Sequence, residues 1–283
     1  MYDRVRTSLF ISPLLILAFI SEIFLFLFLL SICILITYET NLNAKKYTRI
    51  YTYLLIIFTY FLLLSLNYNV LIYAVYISLL SFTVSIFFNI LGLRKNKENL
   101  NFTNQISLDG KDVVNLFFLR ETSTIYYLSG VLSIFFIYQS PSEINWVLLP
   151  LLTVFAIDSF SYIIGSRFGQ RKLKLLEIIS PNKTLIGYIT AFLTGFIVFY
   201  ILNYFFFNIF SPSTSLVISI AFPICAVFGD LYSSGIKRNF GLKDYGNILP
   251  GHGGVLDRLD SVIITMVLMS LAKVFISWKK YQF

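Results

Sequence analysis

Long apolar runs separated by short polar segments dominate this chain. A helix needs about 20 consecutive apolar residues to cross a bilayer, and the runs repeatedly approach that length. A long first stretch covers Leu9–Thr37, and further runs predict helices over Ile50–Leu66, Val70–Leu93, Val113–Tyr138, Ile144–Gly165, Ile186–Phe210, Ser215–Tyr232 and Ser261–Trp278. No separate soluble domain fits between them. The pattern therefore predicts an all-α, polytopic integral membrane protein.

Composition supports this class. The 283 residues are 57% hydrophobic and 13% charged, and include 30 Phe and 19 Tyr, whereas soluble chains average about 45–50% apolar and about 25% charged residues. Cys33 and Cys225 both lie within apolar runs, where buried small side chains are expected rather than a disulfide or metal ligands.

Positive charge alternates along the chain. Lys and Arg cluster in every second connecting segment, namely Lys45–Arg49, Arg94–Lys111, Arg167–Lys183 and Lys237–Arg258, while the loops at Asn67–Asn69, Gln139–Glu143 and Ser211–Thr214 contain none. Because Lys and Arg are retained on the cytoplasmic side, these basic loops should be cytoplasmic. The net charge of +8 thus reports orientation and attraction to anionic lipids and nucleotides, and does not argue for nucleic acid.

The same rule decides how the first stretch is folded. It is too long for a signal peptide, and a single crossing would place Arg4 and Arg6 outside. A hairpin that turns near Ser21–Glu22 returns them to the positive side. We therefore expect about nine transmembrane or re-entrant helices, with a cytoplasmic N-terminus, in the cell's cytoplasmic (inner) membrane.

Candidate chemistry is concentrated between Ser234 and Asp260. This polar segment combines four cations, three carboxylates, the only histidine and a Gly-rich turn: Lys237, Arg238, Lys243, Arg258, Asp244, Asp257, Asp260, His252, Gly251, Gly253 and Gly254. Carboxylates suit Mg²⁺, cations neutralise phosphate, and glycine lets backbone approach a ligand closely. The combination favours a site for a polyphosphate with a divalent metal over a basic loop that merely obeys membrane topology.

Four aspartates stand out by position. Asp158 and Asp230 lie near the ends of apolar runs, where a carboxylate needs a partner or must reach the interface. Asp257 and Asp260 are three residues apart, so a helix would place them on one face, where they could share a cation. Acidic residues at a helix start are also favoured by the helix dipole without any catalytic role.

The polar segment resembles a known signature. It is written Ser-x-x-Lys-Arg, four residues, Lys-Asp, then Pro-Gly-His-Gly-Gly-x-x-Asp-Arg-x-Asp, and it resembles the signature of CDP-diacylglycerol synthases, also called phosphatidate cytidylyltransferases. The block Ser180–Thr184 and the earlier Asp158-Ser159 resemble further parts of that family. The resemblance covers mainly Asp158–Asp260. We expect N-terminal membrane helices with a polar connector over residues 1–112 and a catalytic membrane region over residues 113–283, within a single membrane domain.

The resemblance implies condensation of CTP with phosphatidate to CDP-diacylglycerol and pyrophosphate. It implies Mg²⁺, with a second cation left open, held by Asp230, Asp257 and Asp260. Lys237, Arg238 and His252 join these aspartates as catalytic residues. The expected substrate-binding residues are Asp158, Asn182, Lys183, Thr184, Lys243, Asp244, Gly253, Gly254 and Arg258. CTP, phosphatidate and the bilayer are the expected partners, and a homodimer is left open.

His252 is interpreted as a substrate-positioning group, because an anionic phosphate can attack without a general base. Zinc is not expected, since no second histidine accompanies it. Two positions depart from the family, which usually has glutamate where this chain has Ile186 and Ser233. These departures leave metal stoichiometry and substrate preference open. They also keep a CTP-dependent polyprenol or phytol kinase as an alternative, with a non-enzymatic transporter as the alternative of a different class.

Overall fold

The computed structural model describes residues 22–40, 83, 86, 110–138, 143–173, 176–177, 179–249 and 253–282. Within this part of the chain the regular structure is helical, and its only β-pairing is an isolated bridge between Leu249 and Gly253. The helices are α1 (Glu22–Thr40), α2 (Gly110–Ile137), α3 (Asn145–Phe168), α4 (Leu185–Leu202), α5 (Pro212–Asn239) and α6 (Leu256–Gln282). The predicted all-α class is confirmed.

Four of the described segments are long and apolar enough to cross a membrane: Asn145–Phe168, Leu185–Phe207, Pro212–Asn239 and Leu256–Ile276. A shorter apolar helix covers Phe24–Thr40. The protein is therefore a multi-pass membrane protein. The two runs predicted over Ile50–Leu66 and Val70–Leu93 lie outside the described residues almost entirely, so the count of about nine helices stays a prediction.

Helix α1 is described from Glu22 onwards. The proposed turn at Ser21 and everything before it lie outside the described residues. The hairpin therefore also stays a prediction.

Helix α4 ends earlier than the apolar run that predicted it. A π-helical turn, Asn203–Phe207, follows Leu202. The Asn203 side chain accepts hydrogen bonds from the backbone N–H groups of Ile209 (3.1 Å) and Phe210 (3.0 Å) and donates one to the Phe210 carbonyl (3.0 Å). Because this amide supplies backbone partners that helix continuation would otherwise provide, the chain can turn although its side chains remain apolar.

Helices α5 and α6 extend beyond their apolar runs into the polar segment. The run Ser215–Tyr232 underestimates α5, which continues to Asn239 and carries Lys237 and Arg238 in its last turn. Helix α6 begins at Leu256, so Asp257 lies in its first turn. Cations at a helix C-terminus and anions at an N-terminus are favoured by the helix dipole. Lys237, Arg238 and Asp257 therefore lie at helix ends.

The chain divides into two compact units, residues 1–136 with 235–258, and residues 137–234 with 259–283. In the first unit α1 contacts α2 through rings such as Phe26 and Phe135, whose centroids are 6.2 Å apart. In the second unit α3 packs closely on α4, since a Cβ at Gly165 would lie 3.0 Å from the Gly187 Cα. Small residues at such contacts let membrane helices approach.

Candidate functional site

The polar segment of the first unit is organised around a buried ion pair. The Lys237 Nζ donates to Asp257 Oδ1 at 2.8 Å, and the two side chains are only 9% and 7% exposed. Asp257 Oδ2 accepts from the backbone N–H groups of Tyr245 (2.9 Å) and Gly254 (3.0 Å). The structure thus brings together two residues predicted to be catalytic, and each carboxylate oxygen has a donor.

Tyr245 supports this pair from a second direction. Its ring centroid lies 5.4 Å from the Lys237 Nζ, within the range of a cation–π contact. Its hydroxyl lies 2.8 Å from the hydroxyl of Tyr127, which is buried on α2. Tyr245 therefore contacts Asp257 through its backbone and Lys237 through its ring, while α2 fixes the ring.

A glutamate far away in sequence lies beside the same segment. Glu39, 2% exposed at the end of α1, accepts from the backbone N–H of Val255 at 2.7 Å and from that of Leu256 at 2.8 Å. These are among the amide groups at the start of α6 that lack a partner within the helix. Burial raises the pKa of Glu39, and the two backbone hydrogen bonds act in the opposite direction. Glu39 lies outside the four membrane-length helices.

Sequence reasoning missed Glu39, although a signal was present. Glu39 stands at the end of a long apolar run, the property that singled out Asp158 and Asp230. A carboxylate in that position needs a partner. Its partners here are backbone amides, which no side-chain motif reveals.

The Gly-rich turn fits between the two carboxylates. A Cβ at Gly254 would lie 2.8 and 2.9 Å from the oxygens of Glu39 and 3.0 Å from Asp257 Oδ2. Gly253 has φ +86°, a conformation that other residues rarely adopt. These glycines lie close to the protein's own carboxylates, and the predicted close approach to phosphate or substrate stays a prediction.

A small, partly open cavity of about 70 Å³ adjoins this cluster within the first unit. Glu39, Thr40, Arg120, Ser123, Ile236, Phe240, Leu242 and Tyr245 line it. The Arg120 guanidinium is paired with Glu121 at 2.6 Å. The cavity therefore has a mixed polar and apolar lining directly beside the groups that hold Asp257.

The second unit contains a separate pair of predicted residues. Asp230 on α5 forms an ion pair with Lys183, which comes from the turn before α4. The Lys183 side chain is 40% exposed and that of Asp230 is 17% exposed. The expectation that Asp230 needs a partner is confirmed, and the Ser180–Thr184 block supplies that partner.

Thr184 has a structural role in the same block. Its hydroxyl caps α4 by accepting from the Gly187 N–H at 3.2 Å, and it donates to the Gly165 carbonyl, also at 3.2 Å. A Cβ at Gly169 would lie only 2.1 Å from the Thr184 hydroxyl oxygen. Thr184 therefore joins the ends of α3 and α4, and substrate binding by this residue stays a prediction.

The remaining predicted residues are mostly at the surface. Asp158, Asn182, Lys243, Asp244 and Arg258 are exposed. Arg238 is half-buried and donates to the Leu242 carbonyl at 2.9 Å. Asp260 is buried and accepts from the N–H of Ser261 at 2.8 Å. His252 lies outside the described residues.

Among the described residues, no group of three His, Cys, Asp or Glu side chains is arranged to hold a metal ion. The donor chemistry nevertheless fits Mg²⁺, which prefers carboxylate oxygens combined with substrate phosphates and water. Both oxygens of Asp257 already accept hydrogen bonds, so a cation there would share this carboxylate with Lys237. The metal role of Asp230, Asp257 and Asp260 stays a prediction.

The sequence is similar to bacterial proteins named phosphatidate cytidylyltransferase. A sequence segment of 138 residues is 39% identical to a phosphatidate cytidylyltransferase of Staphylococcus saprophyticus, and covers 48% of this chain and 52% of that protein. Proteins of the same name from Staphylococcus haemolyticus and Staphylococcus aureus are 37% identical over 143 residues (50% and 54% covered) and 38% identical over 138 residues (48% and 52% covered). The chain thus matches about half the length of these relatives. The model of the cytidylyltransferase family matches residues 2–275, and the chain therefore belongs to the cytidylyltransferase family.

Proposed function

We propose that this protein is a phosphatidate cytidylyltransferase, which converts CTP and phosphatidate to CDP-diacylglycerol and pyrophosphate. The observation that carries the proposal is the buried Lys237–Asp257 pair. Both residues belong to the signature segment, and the chain belongs to the cytidylyltransferase family. Relatives named phosphatidate cytidylyltransferase support the choice of acceptor.

The reaction is a nucleotidyl transfer. A phosphate oxygen of phosphatidate attacks the α-phosphorus of CTP, a new P–O bond forms, and the bond to the β-phosphate breaks, so that pyrophosphate leaves. The attacking oxygen is already anionic at neutral pH, and no side chain has to remove a proton from it. Catalysis then depends on positioning and on stabilising charge.

Lys237 and Asp257 act as one buried unit. A buried lysine is expensive to keep charged unless it is paired, and Asp257 provides the pairing at 2.8 Å. The retained positive charge lies beside a carboxylate that is itself held by two backbone amides. This arrangement presents a fixed cation to a phosphate group without a rearrangement during the reaction.

The other cations orient anionic substrates. Arg238, Lys243 and Arg258 lie in the same polar segment, with Lys243 and Arg258 exposed, where they can attract nucleotide and lipid phosphates. Mg²⁺ bound by Asp230 and Asp257, with Asp260 assisting, would neutralise the CTP phosphates and the departing pyrophosphate. His252 positions substrate in this scheme.

We further propose that this chemistry faces the cytoplasm of a bacterial cell. The support is the alternation of Lys and Arg along the chain, which places the signature loop on the side where CTP is available. Phosphatidate would enter from the surrounding bilayer.

Labelled CTP tests the proposal. Purified protein is incubated with Mg²⁺, phosphatidate and CTP carrying label at the α-phosphate. The expected result is label in lipid and release of pyrophosphate. Label remaining in soluble CDP while a prenyl or phytyl alcohol becomes phosphorylated would identify a lipid kinase and reject the proposal.

A further inference from the structure

We propose that Glu39 is a positioning residue for the proposed nucleotidyl transfer, and that it acts by holding the start of α6 and hence Asp257. No part of the signature includes this residue, which precedes Val255 by 216 positions. The inference rests on the proposed function for its kinetic part, whereas its structural part can be tested without substrate.

The contacts of Glu39 are directed at the backbone immediately before Asp257. One oxygen accepts from Val255 N–H at 2.7 Å and the other from Leu256 N–H at 2.8 Å. Asp257 is the next residue. Asp257 in turn accepts from Gly254 N–H at 3.0 Å. The backbone from Gly254 to Leu256 is therefore held by two carboxylates, one on α1 and one on α6 itself.

The Glu39 side chain fits closely against two glycines, and both of its oxygens are used as acceptors, which an amide cannot reproduce. A Cβ at Gly254 would lie within 3.0 Å of both Glu39 oxygens, and a Cβ at Gly246 would lie 3.2 Å from Glu39 Oε1. The two glycines leave space for the carboxylate on both sides. A larger side chain at either glycine would crowd the Glu39 carboxylate.

The contacts of Glu39 indicate a positioning role and not a direct role in the reaction. Both Glu39 oxygens accept short backbone hydrogen bonds, and the residue is buried. Its task is to fix the direction in which Asp257 meets Lys237. Groups that orient a ligand-binding carboxylate without touching substrate typically affect activity by roughly 10–100-fold, because a small misplacement of reacting groups is costly.

Glu39→Gln is the informative variant. The amide keeps one oxygen but turns an NH₂ group towards the second backbone N–H, so one of the two hydrogen bonds is lost. Hydrogen–deuterium exchange is measured on purified wild type and variant without CTP. We expect faster exchange of the Val255 and Leu256 amides, and of the Tyr245 and Gly254 amides that Asp257 holds.

Kinetics on the same preparations provide the second readout. We expect kcat per folded protein to fall by roughly 10–100-fold, with the KM for CTP changed by less than about threefold. Glu143→Gln is the matched control, because it also removes a part-buried carboxylate, one that accepts from Lys273 at 2.8 Å. Its kcat should equal that of wild type and its exchange over residues 245–257 should be unchanged.

The outcomes are separable. Unchanged exchange at Val255 and Leu256 in Glu39→Gln, or a wild-type kcat in a folded variant, would overturn the inference. If Glu39→Gln does not accumulate as folded protein, Glu39→Asp retracts the carboxylate by one methylene and should show the same change in exchange. If wild type consumes no CTP, the proposed function fails, while the exchange experiment still decides whether Glu39 holds this segment.

Discussion

At the scale of single residues, the buried ion pair links stability to the proposed chemistry. Lys237 and Asp257 are almost fully buried, and removal of one partner from such a pair typically costs about 3–5 kcal/mol, because the other charge is left uncompensated. The asparagine variant of Asp257 is therefore expected to affect folding as well as activity. The fold therefore depends on the same residues that are assigned to catalysis.

Asp257→Asn is expected to lower turnover by about 100-fold or more, as loss of a preorganised electrostatic group commonly does. It should also lower the melting temperature. The double variant Lys237→Met/Asp257→Asn removes both charges and should recover part of the lost stability without recovering turnover. Turnover per folded protein and thermal unfolding in detergent measure the two effects.

Two further variants complete that experiment. Asp230→Asn should also lower turnover, because Asp230 pairs with Lys183 in the second cluster of signature residues. Glu177→Gln, at an exposed carboxylate, is the control and should match wild type. Wild-type turnover by Asp257→Asn at saturating Mg²⁺ would remove Asp257 from the proposed mechanism.

The sequence predicted Asp257 and Lys237 as site residues, because the signature is defined by the types of its residues and their order. It did not predict their partners. Tyr245 contributes a backbone N–H to Asp257, and Glu39 binds the backbone of a segment 216 residues away. Backbone amides have no residue identity, so hydrogen bonds to them leave no motif in the sequence.

At the scale of elements, helix ends depend on local hydrogen bonding more than on hydropathy. The apolar run through Phe210 predicted one continuous helix, but the Asn203 amide ends it with a turn. Conversely, α5 and α6 continue into polar sequence. Cations in the last turn of α5 and an anion in the first turn of α6 interact favourably with the helix dipoles. Within the described residues the helices were predictable from the apolar runs, whereas their ends were not.

Helix packing in the second unit gives a test at this scale. A Cβ at Gly229 on α5 would lie 2.6 Å from the Ile264 Cγ2 and 2.7 Å from the Asp260 carbonyl oxygen of α6. Gly229→Ala should therefore destabilise the protein by about 1–3 kcal/mol, despite the higher helix propensity of alanine. Val217→Ile adds a methylene at a side chain that is 65% exposed, and it should leave thermal unfolding unchanged. An equal or higher melting temperature for Gly229→Ala would show that α5 and α6 are not in close contact here.

At the scale of the whole molecule, composition and apolar runs predict a membrane protein. The distribution of Lys and Arg predicts its orientation in the membrane. The four membrane-length helices confirm the membrane class. Orientation relies on a different kind of information, namely the distribution of Lys and Arg along the chain. The basic loops containing Lys183 and Lys237–Arg258 belong to different compact units, yet the charge rule places both on the cytoplasmic side.

That placement predicts the accessibility of single cysteines. Asn182→Cys and Asn247→Cys replace exposed residues in a background lacking Cys33 and Cys225. Both should resist a membrane-impermeant thiol reagent in intact cells and react after permeabilisation. Ser213→Cys, exposed in the first turn of α5 and within the segment Ser211–Thr214 that has no Lys or Arg, is the matched control and should react in intact cells. Reaction of residue 182 or 247 from outside would place its loop on the far side from cytoplasmic CTP, and the orientation together with a cytoplasmic active site would have to be abandoned.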